Sequence, residues 1–128
     1  MVSEVTNGVR ISVECYYQEQ ISHPLDSEFV FAYRIRIENE SGATVRLLRR
    51  HWDIKDSNGL ESEVDGKGVQ GLQPTIKPSA YHEYASWCRL RSEIGKMSGW
   101  YMMHNIEEDR KFKVHVPEFQ MIAPMKLN

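Results

Sequence analysis

One run of sequence carries the clearest structural signal in this chain: Phe29-Val30-Phe31-Ala32-Tyr33-Arg34-Ile35-Arg36-Ile37-Glu38. Large apolar side chains occupy every second position from Phe29 to Ile37, while Arg34, Arg36 and Glu38 take positions between and after them. Side chains along a β-strand point alternately to the two faces of a sheet. The run therefore predicts a strand with one face in the core and the other in solvent.

The same alternation recurs on both sides of this run. It predicts six further strands, which are Val9–Cys15, Val45–Ile54, Leu60–Val64, Tyr81–Cys88, Gly95–His104 and Phe112–Val116. Turn signals separate the strands, and Asn58-Gly59 is the strongest because this pair tolerates positive φ angles. No long segment has the 3.6-residue period of a helix. We therefore predict an all-β fold, an antiparallel β-sandwich of about seven strands of the immunoglobulin-like or fibronectin type III-like kind.

The third predicted strand changes phase part of the way along. Val45 and Leu47 face one side, whereas Leu48, Trp52 and Ile54 fit the core if one residue is skipped. Such a slip is typical of a β-bulge. A tryptophan on this strand is what an immunoglobulin-like sandwich packs between its sheets, so we expect Trp52 to anchor the core. The other large core residues that we predict are Phe31, Tyr33 and Tyr101.

Length and charge limit the classes of function. The chain has 128 residues, with 16 Lys and Arg against 18 Asp and Glu, for a formal net charge of −2. This length predicts a single domain, residues 1–128. Without a basic excess we expect no nucleic-acid partner, and without an apolar run of about 20 residues we expect no membrane span. The start of the sequence has no secretory signal pattern, which favours the cytoplasm and predicts free thiols at Cys15 and Cys88.

Two further tryptophans are candidates for an interaction surface. Trp87 lies near the end of a predicted strand, and strict alternation places Trp100 on the face opposite Tyr101. Exposed aromatic residues are enriched at the binding surfaces of proteins. We therefore predict that Trp87 and Trp100 contact a protein partner.

A glycine motif, Gly66-Lys67-Gly68-Val69-Gln70-Gly71, matches the GxGxxG pattern. In dinucleotide-binding folds this pattern holds a pyrophosphate at the start of a helix. Pro74 and Pro78 leave no room for such a helix here, so we expect an irregular loop. The alternative is an anion-binding nest, formed by consecutive backbone N–H groups and Lys67. Its candidate residues are Gly66, Lys67, Gly68 and Gly71.

Catalytic and metal-binding patterns are not found in the sequence. The five histidines are His23, His51, His82, His104 and His115. None forms an HxH or HxxxH pair, and there is no CxxC or GxSxG motif. We therefore predict no catalytic residue, no metal site and no cofactor. Folding could still bring the histidines together, and that alternative stays open.

The ordered set of motifs resembles the ApaG family. The matching stretches are Phe29–Tyr33, Leu47–Ile54, Val64–Pro74, Gly95–Met103 and Val116–Phe119. The resemblance implies a fibronectin type III-like sandwich of seven antiparallel strands and a poorly defined function. In this family the glycine motif is proposed as a pyrophosphate site. ApaG genes commonly lie beside those for a diadenosine tetraphosphate hydrolase and an rRNA dimethyltransferase.

The resemblance also bears on function, because similar domains in eukaryotic F-box proteins and a DNA polymerase δ-interacting protein are viewed as interaction modules. We predict a non-enzymatic protein–protein interaction module with an unidentified protein partner. The alternative is a binder or hydrolase of pyrophosphate or nucleoside polyphosphates that acts through the Gly66–Gly71 loop. Edge strands of a sandwich can also pair across a two-fold axis, which makes a homodimer a further alternative.

Overall fold

The chain forms nine strands within residues 1–127, which are the residues that the computed structural model describes. In chain order they are β1 (Val2–Thr6), β2 (Val9–Tyr17), β3 (Phe29–Asn39), β4 (Val45–Asp56), β5 (Glu61–Lys67), β6 (Thr75–Ile76), β7 (Tyr81–Leu90), β8 (Ile94–Asn105) and β9 (Arg110–Ile122). The helical segments in this part of the chain are short 3-10 turns, of which the longest is Pro124–Leu127. None of the described helices is long and apolar enough to cross a membrane.

The strands form two antiparallel sheets that pack face to face. The first sheet has the order β1-β2-β3-β7, and the second has the order β5-β4-β8-β9 with β6 paired to β4. β9 packs against β1 and β2 and closes one side of the sandwich. On the other side β7 and β5 are the edge strands of their sheets. The predicted antiparallel β-sandwich is confirmed, while its finer assignment to the fibronectin type III-like kind stays a prediction.

Seven of the nine strands lie on the stretches that the alternation pattern predicts, and β1 and β6 are additional. β1 is an edge strand whose residues are mostly exposed, so it has no apolar face for the pattern to detect. β6 has only two residues and follows Pro74. β9 continues through Pro117 because the β8–β9 register shifts between Met97 and Gly99, and such an irregularity accommodates a residue without an N–H group.

Apolar residues from both sheets fill the space between them. The predicted core residues lie there, with exposed fractions of 1% for Phe31, 5% for Tyr33, 3% for Trp52 and 0% for Tyr101. The Trp52 ring meets Tyr33 of the first sheet and Tyr101 of the second edge-on, at centroid distances of 5.8 and 6.2 Å. Trp52 thus joins the two sheets in the middle of the core.

The phase change in β4 is a bulge at Leu48. Leu47 pairs with Met103 and Arg49 pairs with Met102, so Leu48 has no partner of its own on β8. The extra residue turns the strand so that Arg50 and Trp52 face the core side after the bulge. The bulge therefore also determines which side chains of β4 lie on the outer face of the sheet, and these include His51.

Candidate functional site

The glycine motif continues from the end of β5 into a tight loop held against β4. The Gly68 N–H donates to the Leu48 carbonyl over 2.8 Å. Leu48 is the bulged residue, which has no pairing partner on β8. Arg50 reaches the loop from the core side, and its Nη1 donates to the carbonyls of Lys67 and Gly68 over 3.3 and 3.0 Å. Gly66 leaves room for this guanidinium, because a Cβ there would lie 2.6 Å from Nη1.

Two backbone donors of the loop bond to carbonyls of the loop itself. The Val69 N–H donates to the Leu72 carbonyl over 2.8 Å, and the Leu72 N–H donates back to Val69 over 2.9 Å. Gly68 and Gly71 have positive φ angles of 64° and 77°, which glycine adopts without strain. β6, not a helix, follows the loop. Three N–H groups of the motif region thus have partners in the chain, and the macrodipole of a helix is missing at this position.

Trp87 lies on the outer face of the first sheet, on the edge strand β7. Its exposed fraction is 59%. Its pairing partner on β3 is Ala32, and the next residue across the sheet is Tyr16, which is 50% exposed. Since neighbouring strands lie about 4.8 Å apart, the two aromatic residues flank a small alanine at a backbone separation of about 10 Å. We call Tyr16, Ala32 and Trp87 the aromatic row.

The free edge of β7 is covered at one point. The side-chain amide of Gln70, from the glycine loop, donates to the Ala85 carbonyl. Further along, Trp87 and Arg89 continue the edge, and the Arg91 N–H donates to a carboxylate oxygen of Asp56. The part of β7 between Ala85 and Arg91 is therefore the section where another strand could pair.

A cleft opens between the two sheets below this edge, with a volume of about 270 Å³. Its lining residues are Tyr33, Arg50, Trp52, Ile54, Val64, Ser86, Trp87, Cys88, Arg89 and Met97. The charged residues in this lining are two arginines. Deeper in the core, the hydroxyl groups of Tyr84 and Tyr101 lie 2.5 Å apart. Burial raises the pKa of the Tyr33 hydroxyl above its ordinary value.

Trp100 lies on the opposite side of the molecule, on the outer face of the second sheet. Its ring stacks on the His51 ring at a centroid distance of 5.1 Å and an interplanar angle of 17°. Lys113 covers the ring, with Nζ 4.3 Å from its centroid. Trp100 is therefore half-buried, and the two tryptophans that the sequence analysis grouped together lie on different faces of the sandwich.

His51 belongs to a cluster that the sequence analysis did not recognise. Its Nδ1 lies 2.7 Å from a carboxylate oxygen of Asp65, and its Nε2 lies 3.1 Å from one of Asp53. The hydrogen bond with Asp65 raises the pKa of the imidazole, and Asp53 adds to this effect against partial burial. The signals were two short spacings, His51-x-Asp53 and Glu63-x-Asp65, whose meaning depends on the pairing of β4 with β5.

The chain is similar in sequence to proteins of one known family. The family described as the ApaG domain matches residues 19–105. Protein ApaG of Brucella suis biovar 1 (strain 1330) is 40% identical over 124 residues, which cover 97% of this chain and 95% of that protein. Protein ApaG of Rhizobium etli is 41% identical over the same length.

A solved structure agrees with these relatives. The crystal structure of an ApaA protein from Bordetella pertussis matches with a TM-score of 0.87 and 35% identity, over 95% of both chains. None of these names states an enzymatic activity. Because both the family match and the relatives extend over most of the sequence, the chain belongs to the ApaG domain family.

Proposed function

We propose that this protein is a non-enzymatic, cytoplasmic protein-interaction module that binds an extended segment of a partner protein along the edge of β7. The observation that carries the proposal is the exposure of Trp87, 59%, on an edge strand beside a cleft. A large aromatic side chain gains a great deal of buried area when a partner covers it, and tryptophan is enriched at binding hot spots.

The edge of β7 offers main-chain groups to an incoming strand. Peptides that add a strand to a sheet gain affinity from main-chain hydrogen bonds and specificity from alternate side chains. On the outer side these side chains would meet the aromatic row beside Trp87. On the inner side they would meet the cleft, where Arg50 is the inward-facing charged residue, whereas Arg89 shares the outer face of β7 with Trp87. The edge and its two flanking surfaces thus fit one extended ligand.

The charge of the cleft indicates the kind of segment. Among the described residues, no carboxylate oxygen lies within 4.0 Å of the Arg50 guanidinium, whereas Arg89 has Glu28 at 3.4 Å. A partner carboxylate at the cleft would therefore meet a guanidinium that has only carbonyl partners. Charge complementarity favours a partner segment with an acidic residue that faces Arg50.

Selection of binders from a random peptide library tests the proposal. We expect extended sequences with an acidic residue at a fixed position, and we expect the Trp87→Ala variant to lose at least tenfold in affinity for them. Tyr81→Ala is the matched control, because Tyr81 is 56% exposed on the same strand but distant from the cleft. Peptides that bind the Trp87→Ala and wild-type proteins equally would refute this binding mode.

The homodimer is the alternative occupant of this edge. A second copy of the chain could pair with β7, and sedimentation velocity over a range of concentrations separates a homodimer from a heterologous complex.

The proposed cytoplasmic location fits the state of the two cysteines. Cys15 and Cys88 are both free thiols, as is usual in a reducing compartment.

A further inference from the structure

The strongest unassigned group of side chains lies on the outer face of the β4–β5 hairpin. The register pairs His51 with Asp65 and Asp53 with Glu63, so the four side chains form two adjacent cross-strand pairs. One nitrogen of His51 and one carboxylate oxygen each of Asp53 and Glu63 all lie within 4.8 Å of one another. We propose that His51, Asp53 and Glu63 bind a divalent transition metal ion such as Zn²⁺, with Asp65 orienting the imidazole.

The contacts of His51 provide the first argument. Its side chain is only 14% exposed, and stacking on Trp100 holds the ring in place. Both ring nitrogens face carboxylates, at 2.7 Å from Asp65 and 3.1 Å from Asp53. A neutral imidazole has one N–H group and can donate to only one of these carboxylates, whereas the protonated ring donates to both, and a metal ion bound to Nε2 would take the place of the second proton. If Nδ1–H donates to Asp65, the lone pair of Nε2 is available for a metal ion, as in carboxylate–histidine–metal triads.

The surplus of negative charge provides the second argument. Asp53 and Glu63 lie directly opposite each other, and like charges in this position destabilise a sheet. Among the described residues, no lysine or arginine nitrogen comes within 4.0 Å of the carboxylates of Asp53, Glu63 or Asp65. The protonated His51 ring offsets at most one of these three negative charges, and a divalent cation between the carboxylates would neutralise the remainder.

The donor set indicates the class of metal. One imidazole with carboxylates and no thiolate suits Zn²⁺ and its neighbours in the first transition row, whereas Mg²⁺ and Ca²⁺ prefer oxygen ligands alone. Ligand atoms around a tetrahedral Zn²⁺ lie roughly 3.3 Å apart, given bonds of about 2.0–2.1 Å. Glu63 is exposed and its long side chain can rotate to close the remaining distance. Three protein ligands leave one position for water.

This inference is independent of the proposed function, because the cluster and Trp87 lie on opposite outer faces of the sandwich. Calorimetric titration of the chelator-treated protein with Zn²⁺ tests it. We expect saturable binding of one ion, lost in Glu63→Gln and Asp53→Asn, and weakened roughly 10–100-fold in Asp65→Asn, the range for groups that orient a ligand. Glu61→Gln is the matched control, because it removes the same charge one cross-strand pair away and should leave affinity within twofold.

Glu63 is an exposed surface residue, so its variant should fold, and a circular dichroism spectrum equal to that of the wild type verifies this. The nitrogen chemical shifts of the His51 ring should change on addition of Zn²⁺ and stay unchanged with Mg²⁺. Absence of saturable Zn²⁺ binding, equal loss of affinity in Glu63→Gln and Glu61→Gln, or equal binding of Mg²⁺ would each overturn the proposed site.

Discussion

Trp52 is the residue through which the two sheets are most directly joined. Its ring lies between Tyr33 of the first sheet and Tyr101 and Phe119 of the second, with centroid distances of 5.8 to 6.3 Å. Edge-to-face aromatic pairs add to the free energy of burial. The side chain is 3% exposed, so its removal would leave a cavity between the two sheets.

Replacement of Trp52 by alanine should lower the free energy of unfolding by about 3–5 kcal/mol, the range for large aromatic residues in a core. Urea unfolding followed by circular dichroism measures the change. Trp87→Ala is the control, because Trp87 is exposed, and it should alter stability by less than about 1 kcal/mol. A Trp52→Ala protein with an unchanged urea midpoint would mean that the core packs in another way.

Gly68 is required for two separate reasons, whereas Gly71 is required for one. Both have positive φ angles, but a Cβ on Gly68 would collide with the Leu72 carbonyl, and a Cβ on Gly71 would meet nothing within 4 Å. The left-handed conformation alone costs a residue with a Cβ about 1–2 kcal/mol.

We therefore expect Gly71→Ala to destabilise the protein by about 1–2 kcal/mol through strain alone. Gly68→Ala should cost clearly more, because the Leu72 carbonyl must also move away from the new Cβ. Thermal and urea unfolding of the two variants measure the difference. Equal losses of stability in the two variants would show that the close approach of Gly68 to the Leu72 carbonyl makes no contribution of its own.

The bulge is the decisive feature at the level of secondary structure elements. It divides β4 into a first part, where Val45 and Leu47 face the core, and a second part, where Trp52 does so. A shift of one residue in a strand exchanges its two faces. After the bulge His51 and Asp53 lie on the outer face of β4, where they pair with Asp65 and Glu63 of β5.

Deletion of Leu48 should therefore prevent folding, because it forces either Val45 and Leu47 or Trp52 out of the core. Leu48→Ala keeps the residue count, and since Leu48 is only half-buried, it should fold with a loss of about 1–2 kcal/mol. Soluble yield and dispersion of amide NMR signals distinguish the two outcomes. A well-folded deletion protein would contradict the role of the bulge in setting the register.

The topology of the whole molecule determines the chemistry of its cysteines. Cys15 pairs with Tyr33 from one side of β3, and Cys88 pairs with Phe31 from the other side. Two strand spacings separate them by about 10 Å, beyond the limit of about 7 Å between the Cα atoms of a disulfide. Burial raises the pKa of both thiols to about 11.

The folded protein should react slowly with a thiol reagent at pH 8, because the thiolate is the reactive form and burial suppresses it. Unfolding in urea should release two reactive thiols. Comparison of the reaction time courses in buffer and in urea measures this effect. Rapid reaction of both cysteines in the folded protein would contradict their burial in the core.

Stability should also fall between about pH 9 and pH 11. Unfolded thiols lose their protons near pH 8.5, while the folded protein retains them to about pH 11, so the unfolded state binds fewer protons in this range. A Cys15→Ala, Cys88→Ala double variant should show a shallower decline in the urea midpoint over the same range. Identical slopes for the two proteins would exclude this contribution.

The pattern of single residues was sufficient to predict the sandwich, most of its strands and the bulge. Period-two alternation is a local property, since each strand must place its own apolar side chains on one face. The phase change at Leu48 is visible for the same reason. The weak edge strand β1 and the two-residue β6 were missed because neither buries an apolar face of its own that is long enough to detect.

The arrangement of the candidate sites depended instead on contacts between residues distant in sequence. The cluster of His51, Asp53, Glu63 and Asp65 requires the register of β4 against β5, and the cleft at Arg50 requires the packing of one sheet on the other. Trp87 and Trp100 both occupy outward positions of their strands, but β7 and β8 belong to different sheets, so the two side chains lie on opposite faces of the molecule. Alternation specifies which way a side chain points within its strand, whereas the choice of neighbouring strands depends on the packing of the whole chain and leaves no local pattern in the sequence.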